Sequence, residues 1–105
     1  RFILIVENNG AIANMQDDAM VEVVCELGIN GPRPMSVGNI PQFYLGLLVQ
    51  QVSCEKLLVD AYYEHSYQKA LEAFTLNRLI NDAKVARKIL DALIEANKGM
   101  WPELK

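Results

Sequence analysis

Phe2-Ile3-Leu4-Ile5-Val6, running into Glu7-Asn8-Asn9-Gly10, is the stretch on which the fold turns. An unbroken apolar run rich in β-branched residues reads as a strand covered on both faces rather than one with a wet side. Asn8-Asn9-Gly10 ends it, because Asn and Gly tolerate the positive φ angles that a sharp reversal needs. Met20 to Leu27 reads as a second strand, with Val21, Val23 and Cys25 alternating against Glu22, Val24 and Glu26. Asn30-Gly31 is then a strong hairpin signal. The return arm, Arg33 to Val37, contains Pro34 and follows Pro32, and a residue without an N–H confines that arm to a sheet edge.

From Pro41 onward the period changes from two to about 3.6. Proline suits the first turn of a helix, and Phe43, Leu47, Leu48, Val52, Leu57, Leu58, Ala61 and Tyr62 recur at steps of three and four. A helix from Pro41 to Glu64 would be about 36 Å long at ~1.5 Å per residue. A globule of this size has a radius of gyration of only ~13 Å, so the helix is expected to pack against structure outside the chain. Ser66 is placed to cap a short helix running through Phe74. Asn81 or Asp82 is placed to cap a last one, with apolar rows at Val85, Ile89, Leu93 and at Ala86, Leu90, Ile94, ending in a basic turn at Lys98-Gly99. The expectation is an α+β fold over residues 1–105: short antiparallel strands with a hairpin, a long helix, then two further helices.

The 105 residues fit a single domain. Hydrophobic residues make up 51% and charged ones 22%, which is ordinary globular usage and excludes a disordered chain. Lys and Arg number 10 against 13 Asp and Glu, a net charge of −3, so nucleic acid is not an expected partner. No apolar run approaches the ~20 residues that span a bilayer, and a soluble, cytoplasmic protein is expected. Because the chain begins within a buried-looking strand, it is also expected to be cut from a longer one.

Candidate chemistry is sparse. Cys25 and Cys54 lie far apart and outside any CxxC pair, and His65 is the one histidine, so neither a disulfide scaffold nor a local zinc site is expected. Asp17-Asp18 reads as a solvated loop, and His65 as a cap at the end of the long helix. No GxGxxG, GxxxxGK[ST] or GxSxG is present. The Asn8-Asn9-Gly10 turn is the most functional-looking cluster, since amide groups at the end of a strand can face a ligand in a cleft.

Several spaced blocks carry a resemblance. Ile5-Val6-Glu7-Asn8-Asn9-Gly10-Ala11-Ile12-Ala13-Asn14, Ala19-Met20-Val21-Glu22-Val23, Asn30-Gly31-Pro32, Val37-Gly38 with Ile40-Pro41-Gln42-Phe43, Gln50-Gln51-Val52-Ser53, and Glu95-Ala96-Asn97-Lys98 before Trp101-Pro102-Glu103-Leu104 stand in order along the chain. Together they resemble the C-terminal part of the family 4 glycoside hydrolases, in the branch acting on 6-phospho-α-glucosides. The resemblance implies an enzyme about four times longer, with an upstream Rossmann domain for NAD and a C-terminal domain like that of lactate and malate dehydrogenases. It implies NAD and a divalent metal, usually manganese, as cofactors of the intact enzyme, and hydrolysis by an oxidation, elimination, addition and reduction route. It implies a phosphorylated sugar such as maltose 6'-phosphate as substrate, and homo-oligomeric assembly. The family's metal-binding Cys and His and its tyrosine base lie upstream of Arg1, and Cys25, Cys54 and His65 match none of them. No catalytic, cofactor-binding or metal-binding residue is therefore expected within the chain, and Asn8 and Asn9 are the candidate substrate-binding residues. The competing readings are a 6-phospho-β-glucosidase or α-galacturonidase relative and a helical interaction module without an enzymatic parent.

Overall fold

A computed structural model describes residues 1–80 and 82–105. In chain order the elements are strands β1 (Phe2–Glu7), β2 (Met20–Gly28) and β3 (Gly31–Pro34), then helices α1 (Gln42–Glu64), α2 (Tyr67–Leu76) and α3 (Ala83–Ala96). This is the expected α+β order. Arg1–Val49 and Gln50–Lys105 form two compact units.

In the first unit the strands make an antiparallel sheet in the order β1-β2-β3. Phe2 lies opposite Cys25, Leu4 opposite Val23 and Val6 opposite Val21, so these side chains share one face, and there Val21, Val23 and Cys25 are buried. The other face carries Ile3, Ile5, Met20 and Val24. Ile3 is 66% and Ile5 70% exposed, so within this chain only one of the two faces expected to be covered is packed. An unbroken apolar run has no alternation of its own, and the alternating pattern of β2 decides which face of the pair is packed.

The hairpin closes on the Gly28–Gly31 pair. Its reversal is therefore Ile29-Asn30, one residue ahead of the expected Asn30-Gly31, and Gly31, at φ +96°, starts the return strand. Only glycine takes that φ without strain, which is why an Asn-Gly signal is legible but its register is not. β3 is an edge strand, as its prolines require, and it ends at Pro34 rather than Val37. Met35 N–H still donates to Val24 O at 2.9 Å, but Val37 N–H turns to Ala11 O at 2.7 Å, drawn off by the loop between β1 and β2.

α1 starts one residue after Pro41, whose carbonyl accepts from Leu45 N–H at 3.0 Å. It ends where expected, and His65 follows in the left-handed region at φ +57°, with Ser66 N–H donating back to Ala61 O at 3.0 Å. This is a helix stop of the Schellman kind, formed without glycine. Of the apolar stripe read along α1, Val52 and Ala61 are buried, whereas Phe43 is 71% exposed.

The second unit packs around Ala61, Ala70 and Leu90, joined by Tyr67, Leu71, Phe74, Ile94 and Leu104. Small side chains at the centre let the helices approach closely. Ser66 caps α2 by accepting from Lys69 N–H at 3.2 Å, and α2 runs two residues past Phe74. Asp82 caps α3 through bonds from Lys84 N–H and Val85 N–H at 2.6 and 3.2 Å, while the alternative cap, Asn81, lies outside the described residues. α3 ends at Ala96, so Lys98 falls beyond it and its last turn holds no basic residue. The Ala86–Leu90 row is buried and the Val85–Ile89–Leu93 row is not. Far along the chain, Lys105 N–H donates to His65 O at 2.8 Å and Tyr67 N–H to Lys105 O at 3.0 Å, so the last residues are strapped to the turn between α1 and α2.

Candidate functional site

The loop from Asn8 to Ala19 connects β1 to β2 and is built around a single side chain. Asn8 is wholly buried. Its Nδ2 group donates to the carbonyls of Ile12, Met15 and Gln16 at 3.1, 3.2 and 3.0 Å. Its Oδ1 accepts from Ile12 N–H at 2.7 Å, and its own N–H reaches Ala19 O at 2.8 Å. Both amide hydrogens and the side-chain oxygen are thus engaged inside the loop, and no buried side-chain polar atom among the described residues lacks a partner.

Asn9 is its opposite. It is exposed, holds φ +42°, and donates from Nδ2 to Glu7 Oε2, at 3.3 Å on the surface. Its N–H is anchored to Asp17 O at 2.9 Å, so the backbone is fixed while the side chain stands in solvent. Gly10 follows at φ +83°. Two successive left-handed residues make the corner, a conformation that Asn and Gly adopt at least cost.

A third asparagine ties the loop to the segment that follows β3. Asn14 Nδ2 donates to Ile40 O at 2.9 Å, and its Oδ1 accepts from Ile40 N–H at 3.0 Å. Ala13 N–H bonds to Gly38 O at 2.9 Å, beside a parallel bridge between Ile12 and Gly38. Ala11, Ile12, Met15 and Ala19 are buried beneath. The result is a rigid ledge with Asn9 on its rim. Sequence reading found Asn8 and Asn9 but did not separate their environments, and it passed over Asn14, whose only signal was its place in the Asn8…Asn14 block.

The remaining candidates are dispersed. Asp17 and Asp18 are exposed, as a solvated loop should be. Cys25 is buried with Sγ directed to Val23 O at 3.5 Å. Cys54 is a second buried free thiol, held above its ordinary pKa chiefly by burial, and a thiol so held is a poor nucleophile. It lines an apolar cavity of about 420 Å³ with Leu58, Phe74, Leu79 and Ile89. His65 stands just past the end of α1, and its Nδ1 lies 3.3 Å from Glu103 O, so the ring contacts the C-terminal segment rather than a carbonyl of α1. Among the described residues no group of three or more His, Cys, Asp or Glu comes together as a metal site, and no helix is long and apolar enough to cross a membrane.

A proline-edged hairpin sheet carrying a stitched polar ledge, followed by a long helix and two more, defines an α+β architecture. Residues 1–80 match the Family 4 glycosyl hydrolase C-terminal domain, and the chain belongs to that family. It is 59% identical to maltose-6'-phosphate glucosidase of Bacillus subtilis over 99% of its own length and 23% of that enzyme's. Among solved structures, a 6-phospho-α-glucosidase from gut microorganisms in complex with NAD and Mn²⁺ superposes with a TM-score of 0.96 at 89% identity, over 99% of this chain and 24% of that one. A second 6-phospho-α-glucosidase from gut microorganisms, in complex with NAD and glucose-6-phosphate, gives 0.97 at 58% identity, over 100% and 24%. The resemblance read from the motifs is borne out. The chain spans about a quarter of the length of the relatives it matches.

Proposed function

We propose that the chain is the C-terminal domain of a longer cytoplasmic, homo-oligomeric 6-phospho-α-glucosidase that hydrolyses phosphorylated disaccharides such as maltose 6'-phosphate. What carries the reading is 89% identity, across 99% of the chain, to a 6-phospho-α-glucosidase structure holding NAD and Mn²⁺. The residues of this chain do not themselves fit the metal, since the described ones offer no cluster of ligands and both cysteines are buried. NAD, the metal and the oxidation, elimination, addition and reduction steps belong to the upstream part of the longer protein.

The domain's own contribution is the ledge. Asn9, the exposed member of the pair, presents its amide toward the phosphorylated sugar. Asn8 acts through it, as a positioning residue whose side chain is already committed to the loop. The full-length protein, supplied with NAD and Mn²⁺, should hydrolyse maltose 6'-phosphate and leave unphosphorylated maltose untouched. A higher kcat/KM on a 6-phospho-β-glucoside would overturn the assigned anomer, and hydrolysis of neither would overturn the enzyme reading.

A further inference from the structure

The two edges of the sheet are finished differently. Asn8 N–H bonds to Ala19 O, and the residue sums of the β1–β2 register continue from that pair. Because bonded and non-bonded pairs alternate in an antiparallel ladder, Phe2, Leu4 and Val6 point their N–H groups at β2, while Ile3, Ile5 and Glu7 point theirs outward. On the other side Met35 N–H bonds to Val24 O, and the same alternation puts Pro32 and Pro34 at the positions of β3 that face away from β2. Proline removes the N–H at both, so the β3 edge offers no donor there and cannot template another strand. The β1 edge has no proline: Phe2–Glu7 contains neither Pro nor Lys, its one charge, Glu7, stands at the far end, and its other outward positions, Ile3 and Ile5, are 66% and 70% exposed and apolar. An open apolar edge left unguarded beside a guarded one is the mark of a strand that is paired in use.

We infer that in the longer protein a strand of the polypeptide upstream of Arg1 pairs with the outer edge of β1 and extends the sheet. The occupant follows from the size of the relatives: the matched region is a C-terminal domain covering about a quarter of their length, so most of the chain precedes it and enters at Arg1, at the head of this very strand. The inference rests on the reading of this chain as part of a longer protein.

Residue-resolved amide hydrogen exchange on the full-length protein tests it, since protection reports local hydrogen bonding. The amides of Ile3, Ile5 and Glu7 should exchange within about tenfold of those of Phe2, Leu4 and Val6, which serve as the internal control. Exchange about a thousandfold faster at the outward three would overturn it. Protection that vanishes on dilution to the monomer would place a second copy on the edge, and would equally overturn the assignment to the upstream strand. A hydrolysis assay on the same sample separates the two proposals. Slow outward exchange in a protein inactive on 6-phosphoglucosides sinks the function and keeps the strand, and fast exchange in an active one does the reverse.

Discussion

At the centre of the ledge Asn8 donates both amide hydrogens to main-chain carbonyls and accepts from Ile12 N–H through its oxygen, whereas at the centre of the helical unit Ala61, Ala70 and Leu90 offer only apolar surface. The first arrangement is ordered by directional bonds converging on one residue. The second is ordered by many weak contacts that no single residue dominates. A loop cannot satisfy its carbonyls with a ladder, so it borrows a side chain that mimics backbone. Helices satisfy their own backbone and need only shape and caps. The two regions should therefore fail differently, and mutation can measure the difference.

The largest effect is expected at Asn8. Asn8→Ala leaves Ile12 N–H and the carbonyls of Ile12, Met15 and Gln16 short of a partner, which should cost about 3 kcal/mol or more in urea unfolding. Asn8→Asp loses both donors and should be no milder. A loss below about 1 kcal/mol would mean that water replaces the side chain, and the contrast with the helical core would dissolve.

Leu90→Ala is the matching cut in the helical unit. With Leu90 2% exposed, the lost methyl groups and the cavity should cost about 2.5 kcal/mol. A cost above that of Asn8→Ala would reverse the comparison.

Asn9→Ala sharpens it from the functional side. In the full-length enzyme kcat/KM on a 6-phospho-α-glucoside should fall about tenfold, equal to roughly 1.4 kcal/mol. Stability is measured alongside, with Asn9→Gly as the partner variant, because alanine is strained at φ +42°. Wild-type kinetics in the glycine variant would remove the side-chain amide from the site and leave the ledge a structural device.

Asp82→Ala takes away the acceptor for Lys84 and Val85 N–H and should cost about 1 kcal/mol. Asp82→Asn, which keeps a capping oxygen, should restore most of it. Equal losses in the two variants would show that the cap's oxygen is not what matters.

The smallest effect is confined to alkaline pH. Tyr67 donates to Asp91 at 2.7 Å and Lys69 to Glu64 at 2.7 Å. These bonds, as the leading cause in each case, raise both groups above their ordinary values of 10.0 and 10.5. Groups raised on folding lend stability that is complete below the unfolded value and is lost as pH climbs through the folded one. Their contribution should hold level from about pH 7 to about pH 9 and decline above about pH 10. Tyr67→Phe should remove the tyrosine's share of the decline, and an unchanged alkaline slope in that variant would strip the Asp91 bond of any role in stability.

How far sequence reading reached depends on how local each cause is. The start of α1 after Pro41, the caps at Ser66 and Asp82, the valine alternation of β2 and the edge position of a strand with two prolines all rest on neighbours within a turn or a period. These features were legible from one end of the chain to the other. The hairpin was legible as to place but slipped by one residue, because an Asn-Gly pair announces a positive φ without saying whether glycine closes the turn or opens the return strand. Lys98 was read into α3 because a basic residue before a glycine signals a helix end only to within a residue or two.

What the sequence by itself determined is the order of elements, the strand and helix periods, the caps and, through spaced blocks, the family. What only the tertiary structure decided is which of two adjacent asparagines goes inside, which face of β1 stays wet, and that residue 105 returns to pair with residues 65 and 67. Asn8 and Asn9 are chemically identical, so their fates differ only through the carbonyls of Ile12, Met15 and Gln16 that the loop brings round to one of them. Such convergence depends on where the chain has already gone, and a linear pattern of residue types holds no record of it.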